Sequence, residues 1–309
     1  MSEQRVLITG GTSGIGLAAA CRFARGGARV AVLARNQAGL DTTQQQTAAA
    51  GSRCLAFSVD VTDRGALGTR VEEAVAGLGG LDVAVVNVGA STYGRFADTP
   101  AEDFDRVVDV SFRSVVDTAR AVLPHLETSG GSLVVIGSMA SELPLPRMSA
   151  YTASKHAVRG FVDVLRIELA AQGSAVSLSL VEPGPVDTPF WQNVASADGL
   201  LPPSFPLPYG PDEVARAIEG AASARSARAT VGGAWVVVGK ARRMARPLGD
   251  RLLARLMLVA ERKGERGPGH ASIWNPSGGG ELRVGMRKRP SLLVRTRGFA
   301  ARRRANRVR

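Results

Sequence analysis

The chain has 309 residues, 45% apolar and 21% charged, an ordinary globular composition long enough for one large core or two modest ones. Two cysteines (Cys21, Cys54) and three histidines argue against a disulfide framework and against a metal site. The net charge of +12 is unevenly placed, because residues 240–309 hold 20 Lys and Arg against 4 Asp and Glu while the first 239 are mildly acidic.

Short β-branched runs alternate with helix-length segments along those first 239 residues. Strands are expected at 5–8, 29–33, 53–58, 82–86, 132–136, 176–181 and 230–238. Helices are expected at 14–25, 37–49, 63–78, 101–126, 149–172 and 211–222. Near-continuous Val/Ile/Leu strands between helices imply a parallel sheet covered on both faces, hence an α/β fold of the doubly wound, Rossmann type. The Pro-rich, aromatic stretch 189–210 interrupts the rhythm and suits a binding loop or a self-packed surface loop. No apolar run reaches the ~18–20 residues that span a bilayer, and Met1 leads into the first strand without a signal peptide, so a cytoplasmic protein is expected.

Two motifs carry chemistry. Thr9-Gly10-Gly11-Thr12-Ser13-Gly14-Ile15-Gly16 links the first strand to the first helix, where glycines permit close backbone approach and the helix start offers free N–H groups to phosphate. Its spacing differs from the common G-x-G-x-x-G dinucleotide fingerprint. Tyr151 and Lys155 stand four apart on a helix and so share a face. A nearby ammonium favours a phenolate, so the pair is a way to build a tyrosine acid/base. Alone, such a pair is most often a solvated helix face.

Together with Ser138, these motifs resemble the short-chain dehydrogenase/reductase family over residues 4–239. Further positions fit in order: Asp60-Val61 after the third strand, Asn87-Val88-Gly89-Ala90 after the fourth, and Pro183-Gly184-Pro185-Val186-Asp187-Thr188 after the sixth. The resemblance implies an NAD(P)-dependent oxidoreductase in which Tyr151 exchanges a proton with a carbonyl or alcohol, Lys155 lowers the Tyr151 pKa and holds the nicotinamide ribose, and Ser138 hydrogen-bonds the substrate oxygen. It implies cofactor contacts from Gly10, Thr12, Ser13, Gly14, Ile15, Gly16, Asp60, Val61, Asn87, Gly89, Pro183, Gly184, Val186 and Thr188. Ser111 departs from the family's usual Asn, which holds a relay water, so the proton route behind Lys155 is open. The end of the second strand carries Ala34-Arg35 rather than an acid; a guanidinium suits a 2′-phosphate, so NADP(H) is expected ahead of NAD(H). The long helices 101–126 and 149–172 suggest a homo-oligomer by analogy. Cys21 reads as packed core, and His156 as solvated or partner-facing.

Residues 240–309 form a second region, a basic extension. An amphipathic helix is expected at about 245–263, with Leu252, Leu256 and Val259 on one stripe and Arg251, Arg255 and Arg262 outside it. That helix suits an anionic membrane surface or packing on the protein's own core, and both readings stay open. An irregular loop is expected at 264–281 and disorder in the last stretch of the Arg-rich 283–309. No nucleic-acid motif accompanies the charge. In the family, an extended C-terminus often goes with lipid- or steroid-like substrates. The resulting expectation is hydride exchange with an apolar, lipid-, steroid- or polyketide-like carbonyl or alcohol. The alternative is a weakly active cofactor-binding protein that works through its basic tail on a membrane or partner.

Overall fold

The computed structural model describes residues 3–196, 198–200, 202, 208–261, 271–275 and 279–283. Seven parallel strands form the central sheet: β1 (Arg5–Thr9), β2 (Arg29–Ala34), β3 (Leu55–Ser58), β4 (Val83–Val86), β6 (Ser132–Ile136), β7 (Ser177–Pro183) and β9 (Arg228–Val231). Their order is β3-β2-β1-β4-β6-β7-β9, reversing direction between β1 and β4. The doubly wound α/β reading therefore holds.

Strand alternation explains why the strands are apolar throughout. On β1, Leu7 joins one core while Val6 and Ile8 join the other; on β6, Leu133 and Val135 face the first while Val134 and Ile136 face the second. Helices α3 (Arg64–Leu78), α5 (Ser114–Ser129) and α6 (Ser149–Ala171) cover the first face. Helices α1 (Gly14–Arg25) and α7 (Pro211–Ala224) cover the second, with α2 (Gln37–Ala50) beside α1. Local signals set the boundaries. Asn36 and Asp63 side chains accept the Gly39 and Ala66 amides at the starts of α2 and α3, and Gly79 and Gly130 adopt left-handed caps after α3 and α5. Buried Cys21 and Cys54 have thiol pKa values raised by burial, as packed cysteines should.

Three expectations change. The helix expected at 101–126 is α4 (Ala101–Val108) and α5 separated by a wide π-helical turn, Asp109–Arg113, that carries Ser111. The strand expected at 230–238 is cut short, because β9 ends at Val231 and α8 (Gly233–Met244) begins after Gly232, whose φ of +105° is left-handed. The stretch 189–210 is not wholly irregular: Pro189–Trp191 is a 3₁₀ turn, β8 (Ala195–Ser196) pairs with β5 (Thr92–Tyr93), and Tyr209 bridges Val186.

The expected extension helix is α9 (Arg246–Glu261). Its successor does not read as loop throughout, because Ala271–Trp274 forms a helical turn, α10, and 279–283 lies against α1 and α2. Residues 284–309, which carry the expected disordered tail, lie outside the described residues.

Candidate active site

The site lies at the carboxyl ends of the strands, beside the reversal between β1 and β4, where open α/β sheets leave a crevice. A cleft of about 260 Å³ runs from Thr12, Ser13, Arg35 and Asp60 at one end to Tyr151, Phe190 and Trp191 at the other. The expected residues Gly10, Gly14, Ile15, Val61, Asn87, Gly89, Ser138, Lys155, Pro183, Gly184, Val186 and Thr188 also line it. Gly16 and Ser111 do not.

Gly16 acts through packing. A Cβ there would overlap the Gly10 carbonyl and lie 2.6 Å from Asn87 Nδ2. That absence of a side chain lets Asn87 donate to the Gly10 carbonyl at 3.1 Å while its amide donates to Thr9 Oγ1, tying β4 to the Gly-rich turn. Gly14 adopts φ +50°, with Thr188 close beside it.

At the far end, Asp60 accepts from the Thr62 amide and hydroxyl and from Arg106 Nη2 at 2.6 Å. Burial alone would raise its carboxyl, but these donors hold it below the usual carboxylate value. Arg35 sits 3.8 Å from Asp60. Arg106, a nearly buried cation on α4, escaped the sequence reading; its only signal was a lone Arg beside Phe104 and Val107.

The proton-transfer groups come from three elements. Ser138 caps the turn after β6 and accepts from the Ala140 amide, and its hydroxyl is hydrogen-bonded to the Tyr151 hydroxyl. Ser141 receives the Ser138 amide and is itself hydrogen-bonded to the buried carboxyl of Glu182, which burial raises above its ordinary pKa. Tyr151 and Lys155 stand on the buried face of α6, with Lys155 Nζ 5.8 Å from the Tyr151 ring centre and donating to the Ile136 carbonyl at 2.9 Å. The expected lowering of the Tyr151 pKa by Lys155 is not what the environment produces. Burial pushes the phenol up to about 12, against a smaller lowering from Ser138, and drives the ammonium down to about 8. Ser111 Oγ donates to the Ala90 carbonyl at 2.9 Å and accepts from the Ala90 amide at 3.0 Å, so its hydroxyl is committed to backbone.

An apolar wall surrounds Tyr151: Tyr93, Met148, Phe190, Trp191, Val194 and Ile273, with Phe190 5.4 Å from the Tyr151 ring. Trp235 of α8 packs on Gly184, where a Cβ would stand 2.7 Å from Trp235 Cδ1. His156 Nδ1 lies 2.9 Å from the Thr152 carbonyl, facing outward. Among the described residues, no cluster of side chains could hold a metal, and no helix is long and apolar enough to cross a membrane.

The sequence profile of the short chain dehydrogenases matches residues 4–199. The chain belongs to the short-chain dehydrogenase/reductase family. Over 232 residues the chain is 38% identical to the "Probable oxidoreductase EphD" of Mycobacterium tuberculosis, a match covering 69% of this chain and 38% of that protein. It thus spans well under half the length of that relative. An actinorhodin polyketide ketoreductase solved with NADPH superposes with a TM-score of 0.66 at 30% identity, covering 75% of this chain and 97% of that one. A short chain dehydrogenase/reductase from Burkholderia phymatum, solved in complex with NAD, gives a TM-score of 0.71 at 22% identity, covering 80% and 95%, a likeness of fold. The Gly-rich turn, Asp60 and Arg35 line the cleft, and helix-start amides beside a guanidinium are groups that suit a dinucleotide's phosphates.

Proposed function

We propose that this chain reduces the carbonyl of an apolar substrate with NADP(H), Tyr151 serving as proton donor. The observation that carries the reading is the buried Tyr151–Ser138 pair, set in the same cleft as the Gly-rich turn and walled by Tyr93, Phe190 and Trp191. The nicotinamide group, when bound, supplies or accepts the hydride. Gly10, Ile15 and Thr188 would hold the phosphates, Asp60 and Val61 the adenine, and Asn87, Lys155 and the 183–188 loop the nicotinamide side.

A phenol held near pKa 12 is fully protonated at neutral pH, so Tyr151 is poised to give its proton to the oxygen of a reduced carbonyl. Ser138 donates its hydroxyl proton to the same oxygen as charge develops there. Lys155, drawn to about 8, loses and regains a proton near neutrality and restores the Tyr151 proton. With Ser111 committed to Ala90, the route from solvent passes through Lys155 without that hydroxyl. A screen of ketones, aldehydes and alcohols for oxidation or reduction of both nicotinamide cofactors tests the reading; no turnover across all three classes would overturn it.

Arg35 supports NADP(H), since a guanidinium pairs well with a 2′-phosphate. Arg35→Ala is expected to weaken NADPH about 10–100-fold, the size of a lost charge-assisted contact, and NADH by several-fold less. Isothermal titration with both nucleotides checks this, and equal losses would sink the preference.

We divide the chain into a catalytic domain, 1–239, and a basic extension, 240–309, and place it in the cytoplasm. A homo-oligomer fits the exposed Val164 and Ile167 on α6. The second reading, a weakly active protein working through its tail at a membrane, is favoured by one observation. Helices α8 and α9 expose Val237, Val238, Met244, Leu248 and Leu252 amid exposed Arg246, Arg251 and Arg255. Co-sedimentation with anionic vesicles is expected for the wild type and lost when Leu248→Asp and Leu252→Asp are combined. Equal sedimentation of both would remove α9 from the contact.

A further inference from the structure

The extension returns to the cleft, where Ile273 is part of the lining. Trp274 Nε1 donates to Asp103 Oδ1 at 2.9 Å, and the Arg106 guanidinium stacks 5.3 Å above the Trp274 ring. Arg35 Nη1 donates to the Trp274 carbonyl at 3.0 Å. Ile273, 2% exposed, lines the cleft and packs in the same apolar cluster as Tyr93, Val194 and Tyr151.

A few residues on, the chain is fixed a second time. The Gly280 amide donates to the Thr12 carbonyl at 2.8 Å, Gly14 donates to the Glu281 carbonyl at 2.9 Å, and Gln46 Nε2 donates to the Gly280 carbonyl at 2.9 Å. Gly279 meets Gly39 backbone to backbone, an approach that two side-chain-free residues allow. Arg283 then pairs with Asp212 at 2.9 Å.

We propose that residues 271–275 and 279–283 are part of the dinucleotide site, a clasp anchored on α4 through Trp274 and on the Gly-rich turn through Gly280 and Glu281, which retains the adenosine half of the cofactor. Each anchor touches a residue that also serves the cleft: Arg35, and the Thr12–Gly14 backbone. The clasp therefore couples the extension to cofactor release, while Ile273 gives it a side chain in the cleft itself. It rests on the reading above only in placing the adenosine half at the Arg35–Asp60 end.

The test loosens each anchor in the full-length protein. Trp274→Ala removes the indole from Asp103 and Arg106. Gly280→Val places a side chain 2.6 Å from Thr42 Cγ2 at a left-handed φ of +92° and lifts the second anchor. NADPH and NADH dissociation is followed by the loss of bound-nicotinamide fluorescence on chasing with excess oxidised nucleotide, and circular dichroism confirms folding. Both variants are expected to release both nucleotides about tenfold faster or more, a free-energy change near 1.4 kcal/mol. Wild-type or slower release in both would overturn the clasp. Acceleration in one variant alone would overturn its two-anchor form. A wild-type preference for NADH would sink the Arg35 assignment separately, since the clasp acts on either nucleotide.

Discussion

Tyr151→Phe is expected to lower kcat by roughly 10²–10⁴-fold, the usual contribution of a positioned proton donor, while cofactor affinity stays within about twofold. The substitution removes one hydroxyl from a ring that is 8% exposed and packed against Phe190, so the cleft keeps its shape. It also strips Ser138 of its hydroxyl partner, though Ser138 remains held by the Ala140 amide and, through Ser141, by Glu182. The phenol's pKa near 12 gives the loss a direction. Reduction, which needs a proton given, should proceed through the wild type at neutral pH, whereas oxidation, which needs the phenolate, should quicken as pH rises toward 10. Steady-state kinetics in both directions from pH 6 to 10 reads the two together. An unimpaired Tyr151→Phe enzyme would remove the residue from the reaction.

Lys155→Met is expected to abolish most turnover and yet stabilise the fold at neutral pH. The Lys155 pKa stands at about 8 in the folded protein, driven down by burial from an ordinary 10.5. Between those values the unfolded chain binds a proton that the folded one does not, so stability rises as pH climbs from about 8 toward 10.5. Below about 8 the buried ammonium costs on the order of 3 kcal/mol. Methionine fills a similar volume without charge; the Ile136 carbonyl loses its donor, which returns about 1–2 kcal/mol of that gain. The variant should therefore unfold at higher denaturant at pH 7 by about 1–2 kcal/mol and lack the rising contribution that Lys155 makes above about pH 8. That contribution is read as the difference in slope between wild type and variant, in which the opposite-signed contributions of the raised Cys21 and Cys54 thiols and of Tyr151 cancel. A variant less stable at pH 7, or one keeping the slope, would show that Lys155 is not the group titrating.

The sheet and its strand–helix alternation were readable because both faces are buried, and Val6-Leu7-Ile8 or Leu133-Val134-Val135-Ile136 can only be apolar under that condition. Strand-end residues such as Gly10, Asn87 and Ser138 were legible for a related reason, since they sit where a regular run stops. What failed was whatever depends on distant partners. The turn at Asp109–Arg113 follows from no local breaker, and Ser111 meets Ala90 across the fold. An unbroken apolar run misled the reading of 230–238, where Val236, Val237 and Val238 follow Gly232 and Gly233 yet belong to a helix. The return of Ile273 and Trp274 to α4 likewise has no signature within residues 271–275 themselves, and the titration of Tyr151 and Lys155 reflects depth of burial that spacing does not encode.

The ribbon of β5 and β8 has a consequence for how such a protein diversifies. The proton-transfer side chains are carried by the turn after β6 and by the long helix α6, which packs on the sheet through Val158, Val162 and Leu169. Part of the facing wall, by contrast, is secured by just two paired positions, Thr92 with Ala195 and Tyr93 with Ser196. Reaction chemistry and substrate shape are thus held by separate mechanical supports. Exchanging side chains at Val194 or Trp191 reshapes the apolar wall beside Tyr151 and leaves the registry of the seven-stranded sheet alone.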